Sequence, residues 1–305
     1  MGIVSYAQNF EDVMLWRALG EYSLGFWIDV GASDPVVHSV TRAFAEQGWR
    51  GINIEPREEE FGLLAAARTA DINLNVAASE AAGTMVFYAC EDAGLSTLDA
   101  AVAARHRDDG REVTERLVET RTLAAICRDY APGEIHFLKI DVEGAERGVL
   151  LGADFVRFRP WIVLIEATAP LGREDRSGEW ESILLAAKYR FAWFDGLNRF
   201  YIAAERWEAL AVHFTLPPNL FDGFVMADSG NRLVEIELAK ARAEIALLRL
   251  APPARGGLSG LPLRLARGLR GFFSAELRQE IAVLRQDVVR LGIEVVSLRR
   301  ELRDH

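Results

Sequence analysis

This chain has no cationic cluster, few cysteines and no long apolar run. Lys and Arg total 35 against 45 Asp and Glu, a net charge of −10. Phosphate backbones are bound by clustered Lys and Arg, so nucleic acid is excluded as the main substrate. The two cysteines, Cys90 and Cys127, sit on apolar segments and form no disulfide framework. A reducing, cytosolic compartment is the simplest expectation. The five histidines, at 38, 106, 136, 213 and 305, show no metal-ligand spacing, and no Ser-His-Asp or Cys-His arrangement is visible. No apolar run approaches the ~20 residues that span a bilayer. The start, Met1-Gly-Ile-Val-Ser-Tyr6, lacks the basic-then-apolar plan of a secretion signal. A G-x-G-x-x-G turn is also missing, which counts against a dinucleotide ligand.

Half the residues are hydrophobic, enough for a sizeable core. The most informative segment is Phe26-Trp-Ile-Asp-Val-Gly-Ala-Ser-Asp34, an apolar run ending at an acid, a glycine and small residues. Thr41–Gly48 reads as a helix, and Gly51-Ile-Asn-Ile-Glu-Pro56 is a second strand with an acid at its tip. Such a strand–turn–helix–strand unit binds a nucleoside. Backbone N–H groups of the glycine turn are expected to meet the ligand's polar tail, and Glu55 the ribose hydroxyls. Asp29, two residues before Gly31, suits a ligand carrying an ammonium group. S-adenosylmethionine, with an ammonium, a carboxylate and a ribose, fits this better than NAD.

Residues 1 to about 225 alternate strand-like and helix-like stretches, which predicts a parallel sheet with helices on both faces. The expected strands are Phe26–Val30, Ile52–Ile54, Ile72–Ala77, Met85–Ala89, Phe137–Ile140 and Ile162–Ile165. The expected helices include Glu58–Arg68, Leu123–Asp129, Ala145–Leu151 and Gly178–Lys188. Two further strands flank Asp195-Gly196, a hairpin signal. Composition changes after Asp228. A helix over 228–250 carries Val234, Leu238, Ala241, Ile245 and Leu248, and a Pro/Gly linker covers 251–262. Residues 263–305 begin with Arg264, Arg267 and Arg270 among apolar residues. That pattern suits either a solvated face or peripheral contact with the inner face of an anionic membrane. Leu277, Leu284, Leu291 and Leu298 alternate with Ile281, Val288, Val295 and Leu302, the pattern of a parallel two-stranded coil over 277–302.

Phe137-Leu-Lys-Ile-Asp-Val-Glu-Gly-Ala-Glu146 places Asp141 and Glu143 at a strand tip, followed by a glycine turn. A carboxylate there can take a proton from a hydroxyl nucleophile, hold the cofactor ammonium or bind a divalent cation. Glu146 suits a helix start, where acids are favoured by the macrodipole. Lys139, inside the strand, needs an acidic partner. Glu166 is another strand-tip acid, placed to face substrate, and Asn198 lies in the polar turn beside Asp195. Ser5–Leu15 reads either as a solvated helix start or as a lid over the cofactor with Gln8, Asn9, Glu11 and Asp12 as its contacts. Asn75 and Ala77 end the third strand, near the expected position of the base.

Together these segments resemble the FkbM family of S-adenosylmethionine-dependent methyltransferases. The matching residues are Ser5–Leu15, Asp29–Pro35 with Ser39–Thr41, Gly48–Pro56, Leu95-Ser-Thr97, Phe137–Glu146, Arg159-Pro-Trp161 with Ile165-Glu166, and Asp195–Tyr201. The resemblance covers roughly residues 1–225. It implies a class I methyltransferase fold: a Rossmann-like, doubly wound α/β sheet, mostly parallel, with an antiparallel hairpin at one edge. The domain would span 1–227, with the helical and coiled-coil segments as an extension. It also implies methyl transfer to a hydroxyl oxygen of a sugar, glycan or glycosylated natural product. Carried over by position, Asp29, Gly31, Ala32 and Ser33 cradle the methionine part, Glu55 takes the ribose, and Asn75 with Ala77 lies near adenine. Asp141, Glu143 and Lys139 stand at the reacting centre, and Glu166, Asn198 and Gln8 face the acceptor.

Two other readings compete. A nicotinamide-dependent oxidoreductase would use the same nucleoside unit. A non-catalytic scaffold would use the coil to recruit partners, with the α/β domain as a platform; in an active enzyme the coil would serve to recruit a glycan-assembly partner. The coil predicts a homodimer. A chain ending at Asp228 should therefore be monomeric by light scattering while the full chain is dimeric; a shortened chain that stays dimeric refutes the coil as the seam.

Overall fold

A computed structural model of the protein describes residues 2–170, 172 and 174–227. The helix over 228–250, the linker over 251–262 and the coiled coil over 277–302 lie outside the described residues. In chain order the elements are β1 (Val4–Ser5), α1 (Glu11–Leu19), β2 (Phe26–Val30), α2 (Arg42–Glu46), β3 (Arg50–Ile54), α3 (Glu58–Ala67) and β4 (Ile72–Leu74). Then follow β5 (Ala77–Ala78), β6 (Gly83–Cys90), α4 (Ala100–Asp108), β7 (Val113–Arg121), α5 (Leu123–Tyr130), β8 (Phe137–Ile140) and α6 (Glu146–Leu151). The remainder is β9 (Ile162–Glu166), α7 (Glu181–Ala186), β10 (Tyr189–Phe194), β11 (Asn198–Ala203), α8 (Trp207–Leu210) and β12 (Val225–Met226).

The main sheet has seven strands in the order β10-β11-β9-β8-β2-β3-β4. Strands β4, β3, β2, β8 and β9 are mutually parallel, and β11 runs antiparallel to both β9 and β10. The order reverses between β2 and β8, so the crevice over their carboxyl ends is where a ligand binds in such a sheet. Alternation along β2 divides the core. Phe26, Ile28 and Val30 join Ile52, Ile54, Leu138 and Ile140 on one face, while Trp27 joins Phe44, Trp49 and Phe137 on the other. The second face carries a polar row near the strand tips. Asn73, Asn53, Asp29 and Lys139 stand side by side in register on β4, β3, β2 and β8.

Two strand expectations change. The run Ile72–Ala77 is not one strand: β4 ends at Leu74, and β5 belongs to a second, three-stranded sheet ordered β5-β7-β6. Asn75 makes the break by donating its side-chain amide to the Glu55 and Pro56 carbonyls at 2.9 and 3.1 Å. The run Met85–Ala89 is part of β6, in that second sheet rather than the parallel one. Its partner β7 was not expected, because Thr114-Glu-Arg-Leu-Val-Glu119 is exposed along most of its length and shows no apolar alternation. Among the described residues no helix is long and apolar enough to cross a membrane.

Arg68 ties α3 to the sheet. It pairs with Asp71 at 2.8 Å with both side chains buried, lies 5.3 Å from the Trp27 ring and reaches the Thr41 hydroxyl at 3.2 Å. Removing one partner of a buried pair leaves the other charge uncompensated. Arg68→Ala should cost about 3–5 kcal/mol of unfolding free energy in urea titrations; a loss under about 1 kcal/mol would show that water replaces the guanidinium.

Candidate functional site

Four strand tips build the site, those of β2, β3, β8 and β9. After β2 the chain turns at Gly31, whose φ of 78° is left-handed. A Cβ there would sit 1.8 Å from the Asp141 carbonyl oxygen, so β2 and β8 close up only around glycine. The turn's donors are spent inside the protein. The Gly31 and Ala32 N–H groups donate to the Ile54 carbonyl at 3.0 and 3.2 Å, and the Ser33 N–H donates to a Glu55 carboxylate oxygen at 2.9 Å. The expectation that these N–H groups meet the ligand's tail is therefore corrected: they fix the turn and Glu55 instead.

Glu55, at the tip of β3, is buried yet faces the cleft. Its other oxygen accepts from the Arg57 N–H at 2.9 Å. Burial pushes its pKa up to about 7, against the pull of the Arg57 and Ser33 N–H donors. Gly31, Ser33, Glu55, Pro56, Ala77 and Asp141 line the cleft, and Phe87, Ser96, Thr97 and Leu98 form the facing wall. The enclosed space is about 80 Å³ and the rest is open, so a bound nucleoside would lie largely in the open part.

Asp29 and Lys139 stand behind this cleft rather than in it. Asp29 is 1% exposed. It accepts from the Thr41 hydroxyl at 3.2 Å, and its second oxygen faces the Lys139 ammonium at 3.2 Å as an ion pair. That ammonium also donates to the Gly31 carbonyl at 2.9 Å and lies 3.4 Å from Asp141. Burial works against the lysine's charge, but the Asp29 and Asp141 carboxylates outweigh it and raise its pKa. Lys139 therefore stays an ammonium and organises the site; it is not a base. Asn75 is likewise spent on carbonyls and does not line the cleft, whereas Ala77 does. Ala32 is buried in the turn.

At the tips of β8 and β9, Asp141, Glu143 and Glu166 converge, each offering an oxygen within 4.8 Å of the others. That spacing suits a proton shared among carboxyls or a hard divalent cation. Glu143 has a left-handed φ of 53° and is followed by Gly144 at 100°. Thr97 holds this bend, its hydroxyl donating to the Glu143 carbonyl at 2.8 Å. Glu146 holds it from below, accepting from the Val142 and Gly144 N–H groups at 3.3 and 3.0 Å. Burial first, and then the neighbouring carboxylates led by Asp141, push Glu143 and Glu166 above the usual carboxylate range.

Asn198 lies opposite Glu166 in the β11–β9 register. Its amide donates to Glu11 at 2.8 Å, and Glu11 also accepts from the Asn9 N–H at 2.8 Å. Asp12 accepts from the Ser5 hydroxyl and the Tyr6, Ala7 and Val13 N–H groups. The polar residues of the N-terminal segment thus shape that segment, and none of them lines the cofactor cleft. Gln8 is exposed and lines a separate cavity. Phe87, Ser96, Thr97 and Leu98 were given no role in the sequence. The triplet Leu95-Ser-Thr97 was the available signal, since it carried resemblance without any obvious chemistry.

Residues 29–191 match the methyltransferase FkbM domain. The chain belongs to the FkbM methyltransferase family. No curated protein sequence matches it. The matched span runs from the Asp29 turn through β10, so it contains the glycine turn, Glu55 and all three acids of the cluster. The domain makes the protein a methyltransferase, whose usual cofactor is S-adenosylmethionine. The residues present suit that cofactor: Glu55 presents a carboxylate for a diol, Ser96 accepts from the Cys90 N–H at 3.1 Å and keeps its own proton for donation, and the Asp141 carboxyl lines the cleft where an ammonium could meet it.

Hydrogen bonds from a ribose would favour ionised Glu55. Binding of S-adenosylhomocysteine should then release a proton and weaken as pH falls through about 7, the value to which burial lifts Glu55. Calorimetry in buffers of different ionisation enthalpy measures this directly. Glu55→Gln should lose about 10- to 100-fold in affinity and abolish the proton release; unchanged affinity would remove Glu55 from the ribose site.

Proposed function

We propose that this methyltransferase uses S-adenosylmethionine to methylate a hydroxyl oxygen of a sugar, glycan or glycosylated natural product. The observation that carries this reading is the convergence of Asp141, Glu143 and Glu166, of which Asp141 and Glu143 line the same cleft as Glu55. S-adenosylmethionine, when bound, supplies a methyl group on a sulfonium, with a neutral thioether as leaving group. The protein's own work is then to position the acceptor and to take a proton. An alcohol is a poor nucleophile at neutral pH, so a carboxylate beside it helps. As the oxygen–methyl bond forms, the hydroxyl proton passes to Glu143 or Asp141 and from there to solvent. A base with a raised pKa is well matched to this step.

Lys139 keeps Asp141 in place, and the crowding of three carboxyls keeps a proton in the cluster. Glu166, pushed above the usual carboxylate range by burial and by the neighbouring carboxylates, serves as a hydrogen-bond donor to the acceptor. Asn198 supports it from the neighbouring strand.

Titration with S-adenosylhomocysteine, with NADH as control, tests the cofactor; binding of NADH alone refutes the reading. With an accepted substrate, kcat/KM should rise with pH, its half-point above the usual carboxylate range. The rise follows because Glu143 must lose its proton to act. Glu143→Gln should flatten that limb and lower turnover about 10²- to 10⁴-fold. Full turnover in both Glu143→Gln and Asp141→Asn, with cofactor still bound, would sink the base assignment.

A further inference from the structure

Beside the cofactor cleft lies a second and larger cavity, of about 430 Å³. One wall is the N-terminal segment around Tyr6 to Phe10, and the other is the loop Val36–His38. The rim is formed by Val225 and Met226 of β12. Both walls are anchored to the methyl-transfer site. The loop is the continuation of the glycine turn, whose Ser33 lines the cofactor cleft. The N-terminal segment is held through Glu11 to Asn198, which stands opposite Glu166 of the acid cluster.

Two further features mark the cavity as a binding site. Phe10 and His38 both hold left-handed backbone, with φ of 62° and 57°, and His38 is bridged to Ala7 of the N-terminal segment. Such conformations cost about 1–3 kcal/mol each in non-glycine residues and concentrate where a site requires them. The walls are mostly apolar, and among the described residues no carboxylate or Lys/Arg side chain lines them. The Tyr6 hydroxyl is already donated to Glu46. That leaves Gln8 and His38 as the polar side chains at the opening, both exposed. The volume falls in the roughly 300–1,000 Å³ range of ligand pockets.

We propose that this cavity is the acceptor's second subsite and takes an uncharged, apolar portion attached to the hydroxyl-bearing group, an alkyl or aryl tail. The proposal rests on the methyltransferase reading above and narrows its acceptors to amphipathic glycosides. The hydroxyl-bearing end meets Asp141, Glu143 and Glu166, while the tail desolvates against Val36, Val37 and Met226. A charged tail is disfavoured, because no lining group of opposite charge repays its desolvation.

The test uses the full chain saturated with S-adenosylhomocysteine and a series of n-alkyl β-glucosides from methyl to octyl, each below its micellar concentration. Affinity by calorimetry should rise about three- to fourfold per methylene once the tail enters the cavity. Val37→Trp, or Met226→Trp at the exposed rim, should bind S-adenosylhomocysteine as before and lose that gain. An affinity independent of tail length, a gain retained in both variants, or no glucoside binding at all overturns the subsite. Failure of S-adenosylhomocysteine itself to bind would instead refute the methyltransferase reading, so the two failures are distinguishable.

Discussion

A buried lysine holds this site together. Lys139 lies in a central strand, where an unpaired ammonium would cost several kcal/mol. Its three contacts, to Asp29, Asp141 and the Gly31 carbonyl, balance that cost and at the same time fix the tips of β2 and β8 relative to each other. The close approach at Gly31 follows from this clamp, as does the position of Asp141 at the cleft mouth. Asp29, which resembles a ligand-binding acid in sequence, is the lysine's counter-ion and belongs to a polar row running from Asn73 to Lys139 across the sheet. Asn53, Asp29 and Lys139 are buried and Asn73 is half-buried; Asn53 donates to Asn73 and Lys139 pairs with Asp29, so the sheet's register is specified by polar contacts as well as by apolar ones.

The glycine turn works differently from a phosphate-binding turn. There, backbone N–H groups at a helix start remain free for an anion. Here the N–H groups of Gly31, Ala32 and Ser33 are consumed by Ile54 and Glu55. The turn is thus a rigid support for one carboxylate, in keeping with the absence of G-x-G-x-x-G. The cleft is lined by side chains, and in part by the separate sheet of β5, β6 and β7, which brings Ala77 and Phe87 to it.

Much of this is legible in the sequence. Phe26–Val30 and Phe137–Ile140 read as strands because fully buried parallel strands are continuous apolar runs. The hairpin at Asp195-Gly196 announced itself by turn chemistry. Strand tips could be located, so Glu55, Asp141, Glu143 and Glu166 were found as acids at one end of the sheet. Where reading failed, the cause was a partner far away in sequence. Nothing near Asp29 reveals that Lys139 claims it, and nothing near Asn75 reveals the two carbonyls it bonds. Strand β7 is exposed and charged, so its identity comes from pairing with β6 and not from its own pattern.

The pairing of β1 with β12 brings together the two ends of the domain, Val4 with Val225 and Ser5 with Met226. Arg17 reinforces the closure by bonding Asp222 and the carbonyls of His213, Leu216 and Pro217. The larger cavity draws on both ends and on the loop Val36–His38, while the cleft draws on residues 30–143. On a ribosome, the cleft residues emerge well before the last strand does. A nascent chain therefore completes the larger cavity only when β12 has been released to meet β1.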